Sequence, residues 1–241
     1  MELWLSPRKA TTLLGVAAGV LVVAHLVGLT LRFGFGHPYV YGLVPFFDLD
    51  REHNLPSLFS AALLLLSSAL LALVAIVRHR RGEGDFRGWG GLAILFLLVC
   101  GDEALALHER LILPLQALLG VSGFLFFAWV IPYGLLVALL AGVYLRFLYR
   151  LPAPTRNGFW LAAGLFLSGA IGLEMLGGRL YEHLGGIPDL RYSLVVTLEE
   201  LLEMAGVLVF IHTLLRHLES EQLCLRVAER SRQSQLPPQV L

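Results

Sequence analysis

Asp102, Glu103, His108 and Glu109 lie close together in one apolar stretch of chain. Glu174 stands in a second, and Glu199, Glu200 and Glu203 occupy a third. Carboxylates inside a bilayer cost about 2.5–3.5 kcal/mol each on insertion scales and are functional suspects by default. Helical spacing groups them further. Asp102 and Glu109 stand at i and i+7, nearly one face, with Glu103 and His108 flanking it, and Glu199 and Glu203 stack at i and i+4. So many carboxylates would repel one another strongly if all were ionised in a low dielectric. A bound cation, shared protons or pairing with arginine would relieve that repulsion. Arg110 and Arg179, at the rim of these stretches, are too few to neutralise them all.

Metal chemistry is the sharpest of the three readings. Carboxylates with one or two imidazoles suit Mg, Mn, Fe or Zn, and helix bundles build such sites from inward-facing Glu and His. The expected ligand set is Asp102, Glu103, His108, Glu109, Glu174, Glu199, Glu200 and Glu203, with His25 contributed by the first apolar stretch. Neither a Glu-x-x-His pair of the di-iron type nor H-E-x-x-H occurs in these segments. The metal's identity therefore stays open among Zn, Fe, Mn and Mg, and a protonated carboxylate network or structural ion pairs remain as alternatives.

The elements that must position these groups are membrane helices. Hydrophobic residues make up 57% of the 241 and charged residues 15%, with a mean hydropathy of +0.74, whereas soluble domains are near a quarter charged. Net charge is zero, which argues against a nucleic-acid partner and leaves membrane lipids as the expected surroundings. Cys100 and Cys224 form neither a disulfide framework nor a metal motif. About 20 apolar residues cross a bilayer core. The pattern predicts an all-α polytopic bundle over 1–217 with six spans, at about 11–32, 55–77, 88–113, 121–147, 158–180 and 191–215, and a polar tail over 218–241. Thirteen of the eighteen Lys and Arg fall on the side of the N-terminus, which by the positive-inside rule predicts both termini in the cytoplasm.

At 1.5 Å per residue, Asp102, Glu103, Glu174, Glu199, Glu203, His25 and Ser60 fall in one layer, about 5–14 Å below the outer surface. The loop from Arg32 to Asn54, rich in Phe, Tyr, Gly and Pro, reads as an aromatic belt at the interface, with an interfacial lid as the alternative. Gly15 and Gly19, in a GxxxG, and Gly169, Gly172, Gly177 and Gly178 predict close helix packing. Oligomeric state is not legible, and a homo-oligomer is left open.

The segments NLPSLFSAALLLL, DEALALHERL, GLEMLGGR and TLEELLEMAG resemble a group of bacterial multi-pass membrane proteins, over about Phe46 to Leu215. Members are sometimes labelled multidrug transporters, although no residue here supports an aromatic drug pocket. The resemblance implies a bacterial inner membrane and a six-helix plan, and it supplies no reaction. Alkaline-ceramidase-like hydrolases would match at Ser60 and Asp102, but the clustered C-terminal histidines of that group are missing. The expected function is a metal-dependent enzyme acting on a lipid or lipophilic substrate at the outer leaflet. The alternatives are a cation- or proton-coupled transporter and a non-catalytic sensor or scaffold with an acidic vestibule.

Overall fold

The computed structural model describes residues 6–221; residues 222–241 of the expected polar tail lie outside the described residues. Helix α1 (Pro7–Leu29) begins with proline at its first position, where the missing N–H costs nothing, and runs on as a π-helical turn over Thr30–Gly34. The chain then folds back through the 3-10 turn Val40–Gly42 and the short α2 (Leu43–Phe46). Asn54 and Ser57 form a reciprocal capping box that starts α3 (Leu55–Arg80). Arg78, His79 and Arg80 fill its last turn, where positive charge favours the helix dipole. A tight turn then returns α4 (Phe86–Leu105) beside α3.

The expected span at 88–113 is shorter than the hydropathy pattern suggested. Ala106 takes a left-handed conformation, φ 48°, that breaks the helix and leads into α5 (Leu107–Arg110) and α6 (Ile112–Leu119). Such a conformation at alanine leaves no trace in a hydropathy pattern. The expected span at 121–147 begins later, because Gly123–Leu125 is a separate 3-10 turn and α7 runs over Val130–Arg150. Helices α8 (Ala153–Leu167) and α9 (Glu174–His183) are one rod interrupted by a π-helical stretch, Ser168–Leu173. Asp189 accepts the Tyr192 N–H and caps α10 (Leu190–Ser220).

The described residues are helical throughout, with no strand among them. Five helical rods are long and apolar enough to cross a membrane: Pro7–Gly34, Leu55–Arg80, Phe86–Leu105, Val130–Arg150 and Ala153–His183. Helix α10 matches them in length, at 31 residues, but Arg191, Glu199, Glu200 and Glu203 set it apart in composition.

Helix α10 is the axis against which α1, α3, α8 and α9 pack. Its approach to the α8–α9 rod depends on glycine. A Cβ at Gly206 would come within 2.8 Å of Phe166 N and 2.9 Å of Ala162 O, and one at Gly169 within 2.7 Å of Glu199 O. The expectation for Gly15 and Gly19 does not hold within this chain, since a Cβ at either would meet nothing within 4 Å. One half of the bundle is a dry core of Leu71, Val74, Trp89, Phe159, Phe210 and Leu214, with Leu63, Leu64, Val207 and Ile211 stacked next to it. Trp89 is fully buried there, stacked on His217 at 4.9 Å and edge-on to Phe147 and Phe159.

Candidate functional site

The opposite half of the bundle gathers eight of the nine expected site residues. Asp102, near the end of α4, holds two donors: His108 Nδ1 at 2.8 Å and the Tyr133 hydroxyl at 2.7 Å. The left-handed turn at Ala106 brings His108 back over Asp102, so the break in the expected span is what makes this pair. The His108 ring lies against Trp129 at 4.9 Å, and Trp129 packs edge-on to Tyr133. Trp129 Nε1 in turn donates to Glu174 at 2.7 Å, and the Glu174 carboxylate lies against that of Glu199. Two ionised carboxylates do not make such a contact without a proton or a cation between them.

Glu103 and Glu203 line a cavity of about 10 Å³ together with Ser60, room for about one water molecule. Leu63, Leu64, Phe166, Met204 and Val207 form its apolar floor. Glu200 stands within electrostatic range of Glu203, Glu103 and Glu174. Glu109 is exposed at the rim.

His25 stands apart from this group. Its Nδ1 accepts the Leu49 N–H at 3.0 Å, and its Nε2 lies 3.0 Å from Thr197 Oγ1, which donates to Ser193 O at 2.6 Å. Both ring nitrogens are therefore used. The bonding pattern fixes a neutral ring with its proton on Nε2, and no lone pair is left for a metal. His25 is a buried latch that ties the outer loop to α1 and α10.

That loop carries what sequence reasoning missed. Instead of an aromatic belt alone, it folds acids into the site. Asp50 accepts the Tyr192 hydroxyl at 3.2 Å, and Glu52 lies within electrostatic range of Glu103, Glu109, His108 and Asp102. Burial, then the charges of Glu103 and Glu109, push Glu52 up to about 7. Burial and the neighbouring Asp48 push Asp50 to about 7 as well, against the Tyr192 hydrogen bond. Burial opposes a charged ring at His108, but the hydrogen bond and charge of Asp102 outweigh it, aided by Glu52 and Glu174, and hold His108 up to about 9. Trp129, Tyr133 and Tyr192 were missed too; aromatic residues at span ends read as interface anchors, and only the fold shows their donors aimed inward.

The donor chemistry would suit a divalent cation, but the donors are not drawn around one point. Among the described residues, no three His, Cys, Asp or Glu side chains are grouped so as to hold a metal ion. The acids are engaged pairwise with Tyr, Trp, His and one another. Glu52 Oε2 and Glu199 Oε2 are buried without a partner, and Glu199 as a whole is 8% exposed.

Fold and site together define a helical membrane protein with a buried carboxylate cluster in one half of its bundle. The chain belongs to the family described as a domain of unknown function, DUF8692, which matches residues 13–218. No curated protein and no solved structure matches it.

Proposed function

We propose that this chain is a six-span protein of a bacterial inner membrane with both termini cytoplasmic, and that its carboxylate cluster is an acid–base site open to the outer side. Helix α10, at 31 residues, is about 46 Å long and exceeds a bilayer core of about 30 Å. Its acids are turned toward neighbouring helices, as intramembrane acids must be. Arg78, Arg81, Arg146, Arg150 and Arg216 share the opposite end of the bundle, which supports an inward assignment of that end.

The observation that carries the reading is the Asp102 carboxylate accepting from both Tyr133 and His108. Asp102 orients His108 through Nδ1, compensates the charged ring and leaves Nε2 to meet a substrate. With its proton held up to about 9, His108 is charged at neutral pH and serves as a general acid. Helix α7, which supplies Tyr133, has Val130 as its one buried residue, so this flank faces lipid and suits a lipophilic substrate arriving sideways. The apolar floor beneath Glu203 favours a one-sided site over a transport conduit.

The test is to incorporate the protein into vesicles of bacterial lipid extract and follow lipid composition by mass spectrometry. Conversion by the wild type, lost in His108→Gln and Asp102→Asn with folding intact, is the expected result. Equal lipid profiles with and without the wild-type protein would overturn the lipid reading.

A second reading, a divalent cation among Zn, Fe, Mn and Mg, draws on the orphaned oxygens of Glu52 and Glu199. It predicts a stoichiometric metal on the purified protein that is lost in Glu174→Gln and Glu203→Gln. Metal-free wild-type protein purified without chelator would remove it.

A further inference from the structure

At the end of the bundle far from the acidic cluster, a cavity of about 310 Å³ opens between the start of α4 and the end of α7. Gly84, Asp85 and the α4 backbone line one wall, Val143 and Phe147 the back, and Arg146 and Arg150 the other wall. The two arginines stand at i and i+4 on α7, so they project from one face of it. Both are exposed, and no carboxylate among the described residues lies within ion-pair distance of either. One oxygen of the Asp85 carboxylate is committed elsewhere: Oδ2 accepts from Trp89 Nε1 at 3.3 Å and lies 3.5 Å from Arg78, while Oδ1 is buried without a partner. Two guanidiniums with no ion-pair partner among the described residues therefore face a space walled on the far side by the first turn of a 20-residue helix, the positive end of its dipole.

Glycine lets the two helices meet here. A Cβ at Gly88 would collide with the Phe147 ring and one at Gly91 with the Tyr144 hydroxyl, so α7 leans on α4 through two aromatic rings rather than along its length. Above the arginines the flank of α7 is apolar and exposed, with Leu135, Leu139 and Val143 all more than 60% accessible. A basic cavity at a span end, continuous with a lipid-facing helix, matches the shape of one molecule: a phosphate head with acyl chains beside it.

The geometry points to a binding site for the phosphate of an anionic membrane phospholipid, held by Arg146 and Arg150 with its chains along α7. This site is separate from the acidic cluster and does not depend on the reaction proposed there. The lipid acts as a wedge that fixes α7 against α4, a helix pair joined otherwise through the Phe147 and Tyr144 rings and, at the far end, the Tyr133–Asp102 hydrogen bond.

The test is native mass spectrometry of the detergent-purified chain titrated with phosphatidylglycerol. We expect one lipid retained by the wild type and affinity about tenfold weaker in Arg146→Gln/Arg150→Gln. Each single variant should give a smaller loss, which keeps the test valid if the double variant elutes as aggregate. Arg156→Gln/Arg216→Gln removes the same charge elsewhere at this end and should bind as the wild type does. Equal weakening in the two double variants would reduce the effect to general surface charge and overturn the site. Soluble glycerophosphate competing at the same concentration as the lipid would overturn the membrane source in favour of a free phosphate ester.

Discussion

Between Leu190 and Glu203, α10 offers its neighbours Tyr192, Ser193, Thr197, Glu199, Glu200 and Glu203; between Met204 and Leu218 it offers Val207, Phe210, Ile211 and Leu214. One helix thus serves two interiors. In the first the fit is made by directed bonds, such as Tyr192 to Asp50, Thr197 to His25 and Trp129 to Glu174. In the second it is made by shape, with Trp89 enclosed by rings and Gly206 letting α8 come to backbone distance. In lipid, where burying apolar surface gains little, close packing of this kind is the main source of helix association. Stability should therefore reside in the apolar half, and the polar half should tolerate change at the expense of its chemistry.

The largest effect is expected from Trp89→Ala. Emptying that enclosed site should lower unfolding free energy in detergent by about 3–5 kcal/mol. A loss below about 1 kcal/mol would break the contrast between the halves. Next comes Gly206→Ala, whose methyl would press on backbone atoms that cannot yield; about 1–3 kcal/mol is expected by the same measurement, despite the better helix propensity of alanine. Smaller again is Thr197→Val, which strands the His25 Nε2 proton and should cost about 1–2 kcal/mol. It should also loosen the outer loop, read as faster amide exchange at Leu49.

A slope with pH sharpens the contrast as well, because it should come from the polar half. Glu52 and Asp50 are raised from ordinary values of 4.5 and 3.8 to about 7, so the folded state binds more protons than the unfolded one across that window. Their contribution is complete below about 4 and fades as pH rises to about 7. His108, raised from 6.5 to about 9, adds a contribution present below 6.5 that is lost as pH climbs through 9. All three have one sign, so stability should decline from acid to alkaline pH. Trp89→Ala should shift the whole curve without changing its slope, and Asp102→Asn should flatten the alkaline part. A flat wild-type profile between pH 4 and 9 would remove the linkage attributed to Glu52, Asp50 and His108.

Composition made the membrane class legible, since a run such as Leu55 to Val77 without a charge admits few other readings. Depth counting placed Asp102, Glu103, Glu174, Glu199 and Glu203 together, because rise per residue is nearly constant in a helix. The method has no purchase on chain that leaves the helix. It missed Asp50 and Glu52, which enter by a fold-back, and it could not see that Ala106 turns His108 onto Asp102. It put His25 in the same layer, but depth says nothing of azimuth around the bundle, and His25 bonds to Leu49 and Thr197 instead. Metal ligation was inferred from residue types, whereas grouping around one point depends on side-chain directions that spacing does not carry.

The π-helical stretch Ser168–Leu173 has a consequence for how such a site arises and how it is lost. A widened turn is an α-helix with one surplus residue, and it rephases everything beyond it by about 100°. The aim of Glu174 at Trp129 and Glu199 thus depends on that turn being wide. Removing the surplus residue would restore a plain α-helix and leave the carboxylate aimed as before, whereas closing the wide turn at constant chain length would swing Glu174 about 100° away from the cluster. The acidic site thus hangs on one turn of this rod being wide or regular, a difference that a hydropathy profile does not register.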